Sequence, residues 1–183
     1  DISEYMVRTA IVPRLIDKIK EQYPIAFARD GEFWRYLAQS DDKYIFEPVK
    51  YEIDDIEKEY NSSGASLSQT ASKAVNVGRE TWADVLDRRN RYWNLRNKID
   101  SGTICSTSAL VENNIDIETL LYDFTTITED YGFIYALFDA LKDIKILDPA
   151  CGSGAFLLAA LNVLEPLYEC CLSKFEYLTL TKE

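Results

Sequence analysis

Apolar residues return at helical spacing along most of this chain, and that rhythm constrains the fold more than any other feature. Tyr5, Met6, Ile11, Leu15, Ile16 and Ile19 share one face, behind a capping box of Asp1 and Glu4. Pro13 lies inside that pattern and predicts either a kink or two helices meeting near Val12. Asp30 reads as the cap of a short helix carrying Phe33, Trp34 and Leu37. Thr81 and Asp84 open a long helix that runs to about Asp100 and stops at Gly102. Its inward stripe is Trp82, Val85, Leu86, Tyr92, Leu95 and Ile99. Asp116 caps a helix bearing Ile117, Leu120, Leu121 and Phe124. The next helix carries Phe133, Ile134, Leu137, Phe138 and Leu141.

Two stretches break the helical period. Lys43 to Glu52 (KYIFEPVKYE) has β-forming Tyr44, Phe46 and Val49, and Pro48 confines it to an edge; it predicts a small hairpin over Tyr44 to Tyr51. An acidic helix from Ile53 to Tyr60 follows, then a Ser-, Thr-, Asn- and Gly-rich loop over 61–78. The second break is Lys145-Ile146-Leu147-Asp148, a short β-like run. A glycine-containing turn follows it, then a helix from about Gly154 into the 170s. Leu157, Leu158, Leu161, Leu164 and Leu167 form the apolar face of that helix, and Pro166 bends it. The fold class is mainly α, with one strand–turn–helix and a small hairpin.

Composition excludes several functions. At 183 residues and 47% apolar, the chain is too apolar for a disordered segment. A net charge of −11 disfavours the whole chain as a nucleic-acid grip, because phosphates demand cations. With no histidine, there are no His triads, His bases or His metal ligands. Cys105, Cys151, Cys170 and Cys171 form no C-x-x-C pair, so they read as reduced thiols of a cytoplasmic protein. No unbroken apolar run approaches the roughly 20 residues that span a bilayer; the longest is Ala155 to Leu161.

One segment carries chemistry: Ile146-Leu147-Asp148-Pro149-Ala150-Cys151-Gly152-Ser153-Gly154-Ala155-Phe156-Leu157. An apolar strand ends at an acid, and Pro149 stiffens the exit. Gly152 and Gly154 permit a tight turn that a ligand can approach closely. The helix start then offers free N–H groups to an anion. A phosphate-binding P-loop fails here, because no lysine stands between Lys145 and Lys174. A dinucleotide fingerprint fails as well, because Leu157 stands where a third glycine or alanine belongs. By spacing alone, a ligand site and a plain structural turn stand level.

The wording of the segment adds more. Asp148 to Leu157 (DPACGSGAFL) resembles motif I of the adenine-N6 DNA methyltransferases of bacterial restriction–modification and phage-exclusion systems. Asn162 to Glu169 (NVLEPLYE), Tyr5 to Ile16 (YMVRTAIVPRLI) and Glu80 to Tyr92 (ETWADVLDRRNRY) also resemble large single-chain members of that group. The resemblance implies a Rossmann-like methyltransferase core that holds S-adenosylmethionine over the strand-end turn. Asp148, Pro149, Ala150, Cys151, Gly152, Ser153 and Gly154 would form its cofactor site. Asp148 would orient the methionine amino group, and Phe156 would pack beside the cofactor or behind the turn. No metal is needed for the transfer, and the implied location is the bacterial cytoplasm.

The departures matter equally. Methyl transfer to an exocyclic amine in this family uses an N-P-P-[YF] or D-P-P-[YF] tetrapeptide, and base flipping delivers the adenine. The five prolines are Pro13, Pro24, Pro48, Pro149 and Pro166, and no two are adjacent. No acid in a convincing second strand follows motif I. The expectation is therefore a fragment: a helical region over 1–143, then the first strand, motif I and following helix of a truncated core over 144–183. The catalytic tetrapeptide, the target-recognition region and any nuclease part would lie elsewhere. The competing expectation is a helical scaffold module whose glycine turn binds nothing.

Weaker signals remain. Between Asp84 and Lys98 five basic residues face two acids, and Arg88, Arg89 and Arg91 are candidate DNA-backbone contacts beside Tyr92 and Trp93. The competing reading is the solvated face of an amphipathic helix. The acid runs Asp41-Asp42 and Asp54 to Glu59 lack the spacing of a calcium loop.

Overall fold

A computed structural model describes residues 2–50 and 82–180. Helix α1 (Ile2–Gln22) leads through a 3-10 turn (Pro24–Phe27) into α2 (Glu32–Gln39) and the short α3 (Glu47–Lys50). Beyond the undescribed stretch come α4 (Trp82–Asp100), α5 (Thr107–Glu112), α6 (Ile117–Ile127), α7 (Tyr131–Asp143) and α8 (Ala155–Leu180). The described residues are mainly helical and contain no β-strand. The expected acidic helix at Ile53 to Tyr60 and the loop over 61–78 lie outside the described residues, as does Asp1 of the expected capping box.

Sequence pattern explains most of these elements. Helix α1 buries Val7, Ile11, Val12, Leu15, Ile16 and Ile19 and runs through Pro13 as one helix. Asp116 caps α6 by accepting from the Thr119 amide at 3.2 Å. Asp130 caps α7 in the same way, bonding the Gly132 amide at 2.9 Å. Helix α4 ends at Gly102, whose φ of 66° turns the chain away. The periodicity did not reveal α5, which is only 6 residues long and is capped by Ser106.

Three expectations are corrected. Gly31, not Asp30, caps α2. Its place is steric, since a Cβ there would lie 2.2 Å from the Ala26 carbonyl oxygen. The hairpin over Tyr44 to Tyr51 does not form in its described part. Tyr44 and Ile45 are buried in a turn, and Glu47–Lys50 is helical with Pro48 in its first turn, where a missing N–H does no harm. The run Lys145 to Asp148 is no strand, because nothing among the described residues pairs with it.

Helix directions follow from cross-contacts. Lys18 on α1 meets Asp143 at the end of α7. Gln22 meets Asp139 at 2.9 Å, and Tyr23 meets Asp130 at 2.7 Å. Helices α1 and α7 are therefore antiparallel. Phe138 stacks on Tyr168 at 5.6 Å and Tyr131 meets Phe175 at 5.5 Å, so α7 and α8 are antiparallel too. It follows that α1 and α8 are parallel, with their N-terminal ends at the same end of the bundle.

The core is continuous through α1, α2, α6, α7 and α8. Phe27, Phe33, Phe124 and Phe133 form a ring cluster with centroids 4.9–6.1 Å apart. Leu15, Leu120, Leu121 and Leu137 are wholly buried, each contributing about 1.5–3 kcal/mol. On α8 the buried residues are Ala159, Ala160, Val163, Leu167, Cys171 and Leu178. The leucine stripe read from the sequence holds in part: Leu167 is buried and Leu164 packs against the core, whereas Leu158 and Leu161 are 62% and 60% exposed.

Helix α8 also corrects the bilayer arithmetic. It spans 26 residues with a mean hydropathy of 1.5 over 18 of them, so by length and composition it is able to cross a membrane. Counting unbroken runs missed this, because Asn162, Glu165 and Glu169 interrupt the run without making the helix polar. Core helices of soluble bundles pass the same test, and α8 packs on α1, α6 and α7.

Candidate cofactor-binding turn

Asp148 to Gly154 link the extended exit of α7 to the start of α8. One carboxylate oxygen of Asp148 accepts from the Ala150 amide at 3.0 Å. This Asx turn folds the chain back directly after Pro149. The Gly154 amide then donates to the Cys151 carbonyl at 2.7 Å. Gly152 and Gly154 sit at φ 52° and 79°, in the left-handed region that an L side chain enters at a cost of about 1–2 kcal/mol. A Cβ on Gly154 would meet nothing within 4 Å, and one on Gly152 only the Ala150 oxygen at 3.7 Å. The space over the turn is open to a ligand.

The second Asp148 oxygen, Oδ2, is shielded from solvent and has no hydrogen-bond partner among the described residues. A buried carboxylate oxygen left without a donor costs about 1–3 kcal/mol or more. Around it, Pro149, Ala150, Cys151, Gly152 and Ser153 are exposed, and Phe156 is 41% exposed at the first turn of α8. Phe156 is therefore not core. Asp148 and Gly154 are half-buried, while the five residues between them and Phe156 are exposed.

The turn lies at the end of the bundle where α1 also begins. Ile146 and Leu147, before it, are 41% and 87% exposed. Together with Leu158 and Leu161 they leave apolar side chains uncovered around the turn.

The arginine candidates separate. Arg88 is 5% exposed and lies on the inner side of α4, which removes it as a phosphate contact. Its long stem fills a place that the pattern assigned to solvent. Arg89 is half-buried and Arg91 exposed. Arg96 is structural, bonding Asp100 at 2.7 Å and the Asp41 carbonyl. The Asp41-Asp42 pair is likewise committed. Tyr92 donates to the Asp42 carboxylate at 2.5 Å, and Lys50 donates to its carbonyl at 3.2 Å. No cluster of metal-ligating side chains occurs among the described residues. The acid run Asp54 to Glu59 lies outside them.

All four cysteines are free, Cys151 exposed within the turn and Cys171 buried. Burial pushes the Cys171 thiol up to about 12, so it is inert.

Sequence reasoning missed a cleft of about 280 Å³ between α1 and the start of α6. In it Arg8 pairs with Glu118 at 2.5 Å. Burial nevertheless raises the Glu118 carboxyl above its ordinary value. No local pattern could signal a pair so distant in sequence.

Comparison with known families, curated proteins and solved structures gives no match.

Proposed function

We propose that this chain supplies the cofactor-binding turn and helical scaffold of an S-adenosylmethionine-dependent DNA adenine-N6 methyltransferase of a bacterial restriction–modification system. The observation that carries the reading is Asp148: one carboxylate oxygen builds the turn and the other is buried without a donor. An α-amino group that displaces the atoms shielding it is a fitting partner for that oxygen. The left-handed glycines Gly152 and Gly154 leave the backbone open for the methionine moiety, and Phe156 offers an apolar edge beside it.

S-adenosylmethionine, when bound, supplies the methyl group. This chain's own residues bind and orient; they do not activate the adenine, because the proline-paired tetrapeptide is absent. The exposed Ile146, Leu147, Leu158 and Leu161 suit a turn and helix that sheet neighbours would cover in a Rossmann-like core. Arg89 and Arg91 are the local candidates for DNA contact. The bacterial cytoplasm is the matching location.

Calorimetry with S-adenosylhomocysteine tests the reading. Saturable binding that disappears in Gly152→Val and weakens about tenfold or more in Asp148→Asn is the expected result. Binding that survives Gly152→Val sinks the assignment of the turn. Methyl transfer to DNA by these 183 residues alone would overturn the division between scaffold and catalytic parts.

A further inference from the structure

From the end of α7 to the start of α8, the polar contacts of the chain are nearly all local. Asp148 bonds Ala150, Cys151 bonds Gly154, and Gly154 bonds Leu158. Among the described residues, one polar contact ties this stretch to another helix. Lys18 on α1 grips the Asp143 carboxylate and reaches its carbonyl at 3.4 Å. The Lys18 side chain is only 18% exposed, so its position is fixed by packing on α1, whereas Asp143 is 65% exposed.

We propose that Lys18 is a positioning residue for the Asp148–Gly154 turn. It pins the last residue of α7 and so sets where the following extended segment delivers Asp148. The inference rests on the cofactor reading only for its functional consequence; the positioning itself is a property of the fold. Gln22, one turn further along α1, provides the contrast. It bonds Asp139 inside α7 at 2.9 Å, where the helix already holds the backbone. Loss of that bond has no route to the turn. Lys145 is the other cation near Asp143, but it lies in the segment being positioned and cannot anchor it from outside.

Amide hydrogen exchange on the full chain tests this. Lys18→Met should speed exchange at the hydrogen-bonded amides of Ala150 and Gly154 by about two- to fivefold, the range an exposed ion pair allows. Core amides at Leu120 and Leu137 should stay unchanged. Lys18→Arg should restore the wild-type pattern, and Gln22→Ala should leave the turn alone. Unchanged exchange at the turn in Lys18→Met overturns the proposal. So does an equal effect of Gln22→Ala, or a parallel change at the core amides. Affinity for S-adenosylhomocysteine should fall in Lys18→Met by a similar factor. Absence of that binding in the wild-type chain overturns the cofactor reading and leaves the exchange test of Lys18 standing.

Discussion

The bundle and the turn at its end are built on opposite plans. In the bundle, α1, α6 and α7 bury Leu15, Leu120, Leu121 and Leu137 completely, and capping or crossing side chains satisfy the helix ends. In the turn, Ile146, Leu147 and Phe156 face outward, and one oxygen of Asp148 has no donor. Burial explains the first region. Burial does not explain the second. Stability in the bundle and the function proposed for the turn occupy different stretches of one chain, and substitutions should separate them.

The largest expected effect is in the bundle. Leu137→Ala removes a wholly buried side chain and should cost about 2–5 kcal/mol in denaturant unfolding. A cost below about 1 kcal/mol would mean that α7 is not core. Gly152→Val comes next. Its space is open, so the penalty is the left-handed φ alone, about 1–2 kcal/mol and local. It should abolish cofactor binding while the global midpoint moves little, and global unfolding would erase the contrast between the regions.

Smaller effects sharpen the same picture. Glu118 is a half-buried acid whose folded pKa is raised above its ordinary 4.5. Its proton is held more tightly in the fold. This contribution is therefore full below about the ordinary value and is lost as pH rises through the raised one. Glu118→Gln should flatten that part of the pH–stability curve, and an unchanged slope would refute the assignment. Asp143 runs the other way: Lys18 holds its carboxyl below 3.8, so its contribution exists above that value and fades as pH falls. The smallest effect belongs to Leu147→Asp. At 87% exposed it should shift stability by no more than about 0.5 kcal/mol. A large loss would show that the segment is packed after all.

Legibility differed along the same line. Helices α1, α4, α6, α7 and α8 were readable because each repeats its apolar residues for several turns. Helix α5 was not, because a 6-residue helix shows less than two turns of any pattern. The Lys43 to Glu52 stretch misled because β-forming residues outvoted Pro48, which suits the first turn of a helix equally well. On α8 the period was right and the face right only in part: Leu167 is buried, but Ala159, Ala160 and Val163 take core places that the leucine count gave to Leu158 and Leu161. In the turn, the acid and the glycines were visible in the string. Their φ values, and the division of labour between the two Asp148 oxygens, were not.

Sequence by itself determined the helical class, the helix cap at Asp116, and the place of the glycine turn. These depend on neighbours within a few residues, where spacing and side-chain chemistry act directly. Only the tertiary structure decided that Arg88 is buried and that Lys18 meets Asp143. It also decided that α1 and α8 start at the same end, and that Leu147 and Leu158 stay uncovered. Each of these depends on which helices meet and at what angle, a balance of packing summed over the whole core that no local stretch of residues encodes.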